Sequence, residues 1–330
     1  MTKYVLEVEH LKTYYYTYKG IVRGVDDVSF KLKEGESLGI AGESGCGKST
    51  LAFSLLKLVP PPGRIVGGKI VIDGQDIVKM SESEVRSKVR WKKISMVFQG
   101  AMNALNPVYT VGYQLAEPLI YHKGYSKKEA IEEAKKYLEM VGLAPEIVNR
   151  YPHELSGGMK QRVVIAMALI LQPKIVIADE PTTALDVVVQ AQILNLLKKL
   201  QKELKISIIL ITHDLSIIAE LADKVAIMYA GKIVEFGPLE KVFVDPKHPY
   251  TQALLRSIPR LRGSKEKLEW IPGTPPDLRN PPPGCRFHPR CKFTMDICRK
   301  EPPPEVYLEP DHRVLCWLYG KEKQAQGGSL

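Results

Sequence analysis

The segment Gly42 to Thr50 reads GESGCGKST and matches G-x-x-x-x-G-K-[ST], a spacing suited to holding phosphate. Gly42, Gly45 and Gly47 let the backbone bend until its N–H groups converge on phosphate oxygens, and the helix that follows adds its positive N-terminal end. The Lys48 ammonium can reach the β and γ phosphates as a point charge, while the Ser49 hydroxyl is placed to ligate Mg²⁺. Glu43, Ser44, Cys46 and Thr50 complete the nucleotide-contacting segment, with Cys46 read as filler in the loop. A second concentration of chemistry is the run Ile175, Val176, Ile177, Ala178, Asp179, Glu180, apolar until it ends in two carboxylates. Beside a phosphate loop, Asp179 can orient Mg²⁺ or its waters, and Glu180 is left to polarise a water that attacks the γ phosphate. Two acids at a strand end carry little weight alone; the phosphate loop supplies their context.

Such groups need rigid elements to hold them. The phosphate loop lies between the apolar run SLGIA and the helical LAFSLLKL. Short β-rich runs (Ser37 to Ala41, Lys174 to Ala178, Ile206 to Ile211) alternate with helical stretches such as Val187 to Leu204, which predicts an α/β fold with a mixed or parallel, helix-covered sheet. Between about residues 100 and 165 the pattern turns mainly helical, with Lys127 to Val141 placing apolar residues at helical spacing, and this is read as a helical subdomain. Composition changes near residue 240, because 14 of the 24 prolines fall in residues 241–330. Repeated proline removes backbone donors that a helix or central strand needs. An irregular C-terminal extension over 241–330 is therefore expected after a domain spanning 1–240, and the closing KEKQAQGGSL reads as a flexible end.

Leu155 to Arg162, LSGGMKQR, resembles the signature sequence of ABC ATPases, and with the two elements above it identifies the fold as that of a P-loop NTPase of the ABC class. The order of the remaining matches agrees. Gln99 in VFQ resembles the Q-loop glutamine, Ala184 to Asp186 the D-loop, and His213 in ITHD the switch histidine. The resemblance implies an ATPase in which Glu180 is the general base, His213 senses the γ phosphate, and Gln99 contacts Mg²⁺ or the water. Ser156, Gly157 and Gly158 form a second anion site at a helix N-terminus, which the family's head-to-tail dimer places over the ATP of a partner ATPase, identical or homologous. Asp186 belongs to the same nucleotide-contacting set, and Tyr15, in the run Tyr14 to Tyr16, resembles the aromatic that stacks on adenine.

The tail narrows the resemblance. KHPYTQALLRSIPR followed by PPPGCRFHPRC looks like the C-terminal extension of oligopeptide and dipeptide importer ATPases. That likeness implies two membrane permeases as docking partners, an external solute-binding protein acting indirectly, and uptake of di- or oligopeptides, with sugar import as an alternative. Cys285, Cys291, Cys298 and Cys316 are spaced C-x5-C-x6-C-x17-C, unlike the paired C-x2-C of zinc sites, and four thiolates suit a [4Fe–4S] cluster. Some members of the importer family carry one, so a cluster on these four residues is expected, with Zn²⁺ or free thiols as alternatives. A cluster would staple the extension, which is otherwise too short and proline-rich for a strong core. Every residue assigned to hydrolysis lies before residue 240, so the extension is expected to take no part in it.

The longest unbroken apolar run, Val163 to Leu171, is far short of the roughly 18 residues that cross a membrane, and the start MTKYVLEVEH lacks the pattern of a secretory signal. A peripheral protein on the cytoplasmic face of the membrane is the expectation. Lys and Arg number 47 against 37 for Asp and Glu, yet no nucleic-acid partner is expected. A DNA-repair or chromosome-organising ABC ATPase would carry coiled-coil insertions or paired C-x2-C modules, and neither is present.

Overall fold

A computed structural model of the chain describes residues 3–100, 104–257 and 271–320; the expected flexible end lies outside them. In chain order the strands are β1 (Tyr4–Thr17), β2 (Gly20–Lys33), β3 (Ser37–Ala41), β4 (Gly63–Ile72), β5 (Gln75–Asp76), β6 (Ile94–Val97), β7 (Ile175–Asp179), β8 (Ser207–Ile211), β9 (Lys224–Tyr229), β10 (Lys232–Pro238), β11 (Glu305–Glu309) and β12 (His312–Leu315). The helices are α1 (Lys48–Leu55), α2 (Glu82–Lys88), α3 (Val111–Lys123), α4 (Lys127–Met140), α5 (Gly157–Leu169), α6 (Val187–Leu204), α7 (Leu215–Leu221), α8 (Leu239–Val244), α9 (Pro249–Arg256) and α10 (Asp296–Lys300). The chain divides into two compact units, one of residues 1–7, 31–37 and 70–211, the other of residues 8–30, 38–69 and 212–330.

In the first unit, β6, β7 and β8 run parallel, with Val176 level with Ser95 on one side and Ile208 on the other. All three strands are buried along their length, which is why they read as unbroken apolar runs and not as alternating ones. Helix α6 buries Ile193, Leu196, Leu197 and Leu200, one stripe at helical spacing. Helices α3, α4 and α5 form the expected helical region; Thr110, Ser126 and Ser156 begin them, each hydroxyl accepting a backbone N–H of the first turn.

In the second unit β3 runs parallel to β9, β9 pairs antiparallel with β10, β10 with β12, and β12 with β11. The parallel and antiparallel pairings together make the mixed sheet and helices of the α/β class. The extension departs from the expectation of an irregular appendage by carrying helices α9 and α10 and a strand pair. Over 271–304 it is irregular apart from a short turn at 288–290 and helix α10, and it then contributes β11 and β12 as an antiparallel pair on the edge of β10, with Glu235 opposite Val314 and Phe236 opposite Arg313. The prolines flank these strands, at 302–304 and 310, and none falls within them, leaving their backbone donors intact.

Candidate functional site

The phosphate loop connects β3 to α1 in the second unit. Gly47 caps α1 with φ at 108°, and a Cβ there would lie 2.0 Å from the Gly24 carbonyl oxygen. Gly42 is as constrained, since its Cβ would lie 2.1 Å from the Met228 carbonyl oxygen. Only glycine fits either place, so the loop's path is set by backbone packed against backbone. Gly231 donates its N–H to the Cys46 carbonyl at 2.8 Å, tying the loop to the turn after β9. Burial pushes the Cys46 thiol up from its ordinary value, so it sits as a neutral packing group, in keeping with filler. The Lys48 ammonium, buried, donates to the carbonyls of Gly42 at 2.7 Å and Glu43 at 3.0 Å, which stretches the side chain back along the loop that phosphate would occupy. Ser49 and Thr50 follow in the first turn of α1, and Ser44 and Gly45 are exposed at the tip.

Tyr15 reaches this loop. Its hydroxyl lies 3.4 Å from the Thr50 Oγ1, and its ring passes against Gly63 and Gly24, where an added Cβ would come within 2.5 and 3.3 Å of ring carbons. Tyr14 turns to the other side of the strand and donates to Asp26 at 2.6 Å, while Tyr16 lies under the Arg64 guanidinium, 4.1 Å from its ring centre. His213 lies exposed two residues beyond the end of β8, just before α7, whose cap is the Asp214 carboxylate.

In the first unit the carboxylates emerge as the sequence pattern predicts. Asp179 ends β7 with 3% of its surface exposed, and Glu180 follows with a left-handed backbone, φ 47°. That turn takes Glu180 off the strand direction. Its Oε2 accepts hydrogen bonds from the Gln99 amide at 2.8 Å and the Thr183 hydroxyl at 3.1 Å. Gln99 and Glu180, 81 residues apart, are therefore brought together. Ser156 is exposed and its hydroxyl accepts the Met159 N–H at 3.3 Å, so α5 begins at Gly157. Asp186 caps α6 by accepting the Val189 N–H at 2.9 Å. A hydroxyl, an amide oxygen and a carboxylate are hard oxygen donors, so Ser49, Gln99 and Asp179 suit Mg²⁺ in kind.

The extension also reaches the phosphate loop, a contact the sequence did not predict. Residues far beyond 240 hold the phosphate loop directly. Both carboxylate oxygens of Glu43 accept from Arg290, at 2.6 and 2.9 Å, and the Glu43 N–H donates to the Tyr250 hydroxyl at 2.9 Å. Arg286 pairs with Asp26 and donates to the Ala230 carbonyl. The extension thus gains its order from the domain it is fastened to. Nothing local in the sequence marks Arg290 or Tyr250 for this role, because each acts across more than 200 residues; the one available hint was that buried charge needs a partner.

The four cysteines fare differently. Burial pushes Cys285 up to about 11 and Cys316 up to about 12, and the neighbouring thiols push in the same direction: Cys291 and Cys298 on Cys285, and all three others on Cys316. Backbone N–H groups of Phe287 and His288 face Cys285, Phe293 faces Cys291, and Leu318 faces Cys316. Four cysteine sulfurs are the donor type of a metal–sulfur centre, but here they are not gathered as one. Among the described residues no group of three or more Cys, His, Asp or Glu stands close enough to hold a metal ion. The expected four-thiolate ligand set is not formed; Cys316 packs instead with Val306 and Val314.

A phosphate loop leading into α1, an acid pair closing a buried parallel strand, and a serine-capped signature helix define a P-loop ATPase of the ABC class. Residues 25–183 match the ABC transporter family, and residues 234–298 match the C-terminal region of oligopeptide/dipeptide transporters. The chain is 49% identical to the dipeptide transport ATP-binding protein DppD of Bacillus subtilis over 95% of this chain and 94% of that one. It is 51% identical to the oligopeptide transport ATP-binding protein OppD of the same organism over 95% and 88%. A bacterial ABC transporter cassette solved as a dimer superposes with a TM-score of 0.63 at 31% identity, over 71% of this chain and 98% of that one. The chain belongs to the ABC transporter family, within its oligopeptide/dipeptide ATP-binding branch.

Proposed function

We propose that this chain is the ATP-binding and hydrolysing subunit of an importer for di- or oligopeptides, working at the cytoplasmic face of the membrane beneath two permeases and beside a second ABC ATPase. A solute-binding protein outside the membrane completes the system. The observation that carries the peptide class is that the likeness to DppD runs through 95% of the chain, tail included. This favours peptides over sugars and transport over DNA repair. Among the described residues no helix is long and apolar enough to cross a membrane, in keeping with a subunit that works through membrane partners. The division into a 1–240 nucleotide-binding domain and a 241–330 extension is part of the proposal.

The chemistry follows from the chain's own groups. ATP phosphates lie on the loop N–H groups and the Lys48 ammonium, with Tyr15 against the adenine. Ser49, Gln99 and Asp179 would hold Mg²⁺, which supplies neutralising charge at the phosphates. Glu180 takes the proton of a water as its oxygen bonds to the γ phosphorus; the bond to the bridging oxygen breaks and ADP leaves. The hydrogen bonds that Gln99 and Thr183 donate to Oε2 support this role, because they orient the carboxylate. His213 donates to the γ phosphate. Ser156, Gly157, Gly158 and Asp186 serve the partner's nucleotide.

The test is uptake. Membrane vesicles holding the chain with its permeases should accumulate labelled dipeptide only when ATP is present on the chain's side, and Glu180→Gln should stop it. Accumulation of a labelled sugar but not of peptide would contradict the substrate class. The four tail thiols are proposed to close on a [4Fe–4S] cluster in the cell, a reading that rests on the four-cysteine pattern. Iron and acid-labile sulfide assays on protein purified without oxygen test this; zinc, or no metal, would replace it with the alternatives.

A further inference from the structure

Glu43 places a carboxylate in the second position of a loop built to hold a polyanion, and like charges at such range are unfavourable unless something offsets one of them. Both oxygens of that carboxylate are taken by the forked guanidinium of Arg290. The Arg290 side chain is 5% exposed, against 24% for Glu43. Arg290 is itself anchored before it meets the loop: its Nε donates to the Pro272 carbonyl at 2.7 Å, and its Nη1 to the Tyr229 hydroxyl at 3.4 Å. Tyr250, fully buried between Tyr229 and Phe287, fixes the same residue from the backbone side by accepting the Glu43 N–H. The Glu43 carbonyl in turn accepts from Lys48. The anchor therefore passes through Glu43 to the ammonium that meets phosphate.

We propose that Arg290 is a positioning residue for ATP binding, which neutralises Glu43 and fixes the loop so that the triphosphate does not face an uncompensated carboxylate. The extension then sets nucleotide affinity, in addition to any role of its own. The inference rests on Gly42 to Thr50 being the phosphate loop.

The experiment measures Mg-ATP affinity by calorimetry, and KM and kcat for hydrolysis, on the full chain and four variants. Arg290→Ala should raise the dissociation constant and KM about tenfold or more while kcat at saturation stays within about threefold, as expected for an interaction made equally in ground and transition states. Arg290→Lys, which keeps the charge and loses the fork, should fall between the two. Adding Glu43→Gln to Arg290→Ala should restore KM to within about threefold of the unaltered chain. A purely structural role would not be rescued that way, since the second change restores no contact. An unaltered KM in Arg290→Ala, or a double variant no better than the single, overturns the proposal. Should Arg290→Ala fail to fold, Arg290→Lys and Glu43→Gln with Arg290→Gln carry the same comparison, and KM equal in all of them is the contrary result. Lys48→Ala, run alongside, separates the two readings. If it binds ATP as well as the unaltered chain, the phosphate loop assignment falls; if it loses ATP while the Arg290 variants do not, only this inference falls.

Discussion

The two helix starts proposed to bind phosphate in this chain are built in opposite ways. At the phosphate loop, the cap of α1 is a glycine without a side-chain bond, and the loop is held by distant segments: the backbone at 228–231, Tyr250 and Arg290. At the signature, Ser156 caps α5 with its own hydroxyl and lies exposed. A site that must bind nucleotide within one chain has its geometry imposed from many sides. The signature, proposed to complete a partner's nucleotide, needs only a stable helix start that is exposed. The local cap provides that, and contributes about 1 kcal/mol.

That contrast can be broken or sharpened by substitution. The largest effect is expected at Glu180→Gln, which keeps the shape and both hydrogen-bond donors beside it but cannot accept a proton. ATP affinity should persist while turnover falls at least about 100-fold. A rate within about threefold of the unaltered chain would remove Glu180 as the base. Gly47→Ala comes next. Its Cβ has nowhere to go beside the Gly24 carbonyl, and with a left-handed backbone as well the cost should be about 2–4 kcal/mol, read as a lower thermal midpoint together with lost ATP binding. An alanine variant as stable as the unaltered chain would mean that the loop is not packed in this way. Ser156→Ala should cost only about 1 kcal/mol by the same thermal measure, with no change in how one chain holds ATP.

Much of this could be read from residues. The strand Ser37–Ala41 and the helix Val187–Leu204 have the bounds that their patterns predict, because burial on both faces and a single apolar stripe are local signals. The loop and the Asp179–Glu180 pair were legible for the same reason: their chemistry is written in neighbouring positions. Arg290 was not legible. Its meaning depends on Glu43, 247 residues away, and on a cysteine-rich segment whose spacing drew attention to metal. Strands β11 and β12 were missed because they are short, follow a run of prolines, and form only against the edge of β10. The cysteine pattern pointed to a metal centre, but pattern alone does not fix the distances that ligation requires, and among the described residues no group of three or more ligand side chains stands close enough to hold one.

The contrast between a loop held by distant segments and a signature helix capped by its own serine is tested most directly by measuring ATP affinity and turnover on one preparation of Ser156→Ala. The dissociation constant for Mg-ATP of the isolated chain should stay within about twofold, while hydrolysis at saturating ATP with the partner ATPase present falls about tenfold, a loss seen only in the assembled state. Loss of affinity in the isolated chain, with turnover falling no further than occupancy explains, would show that the signature serves its own chain's nucleotide and would contradict the two-half-site arrangement.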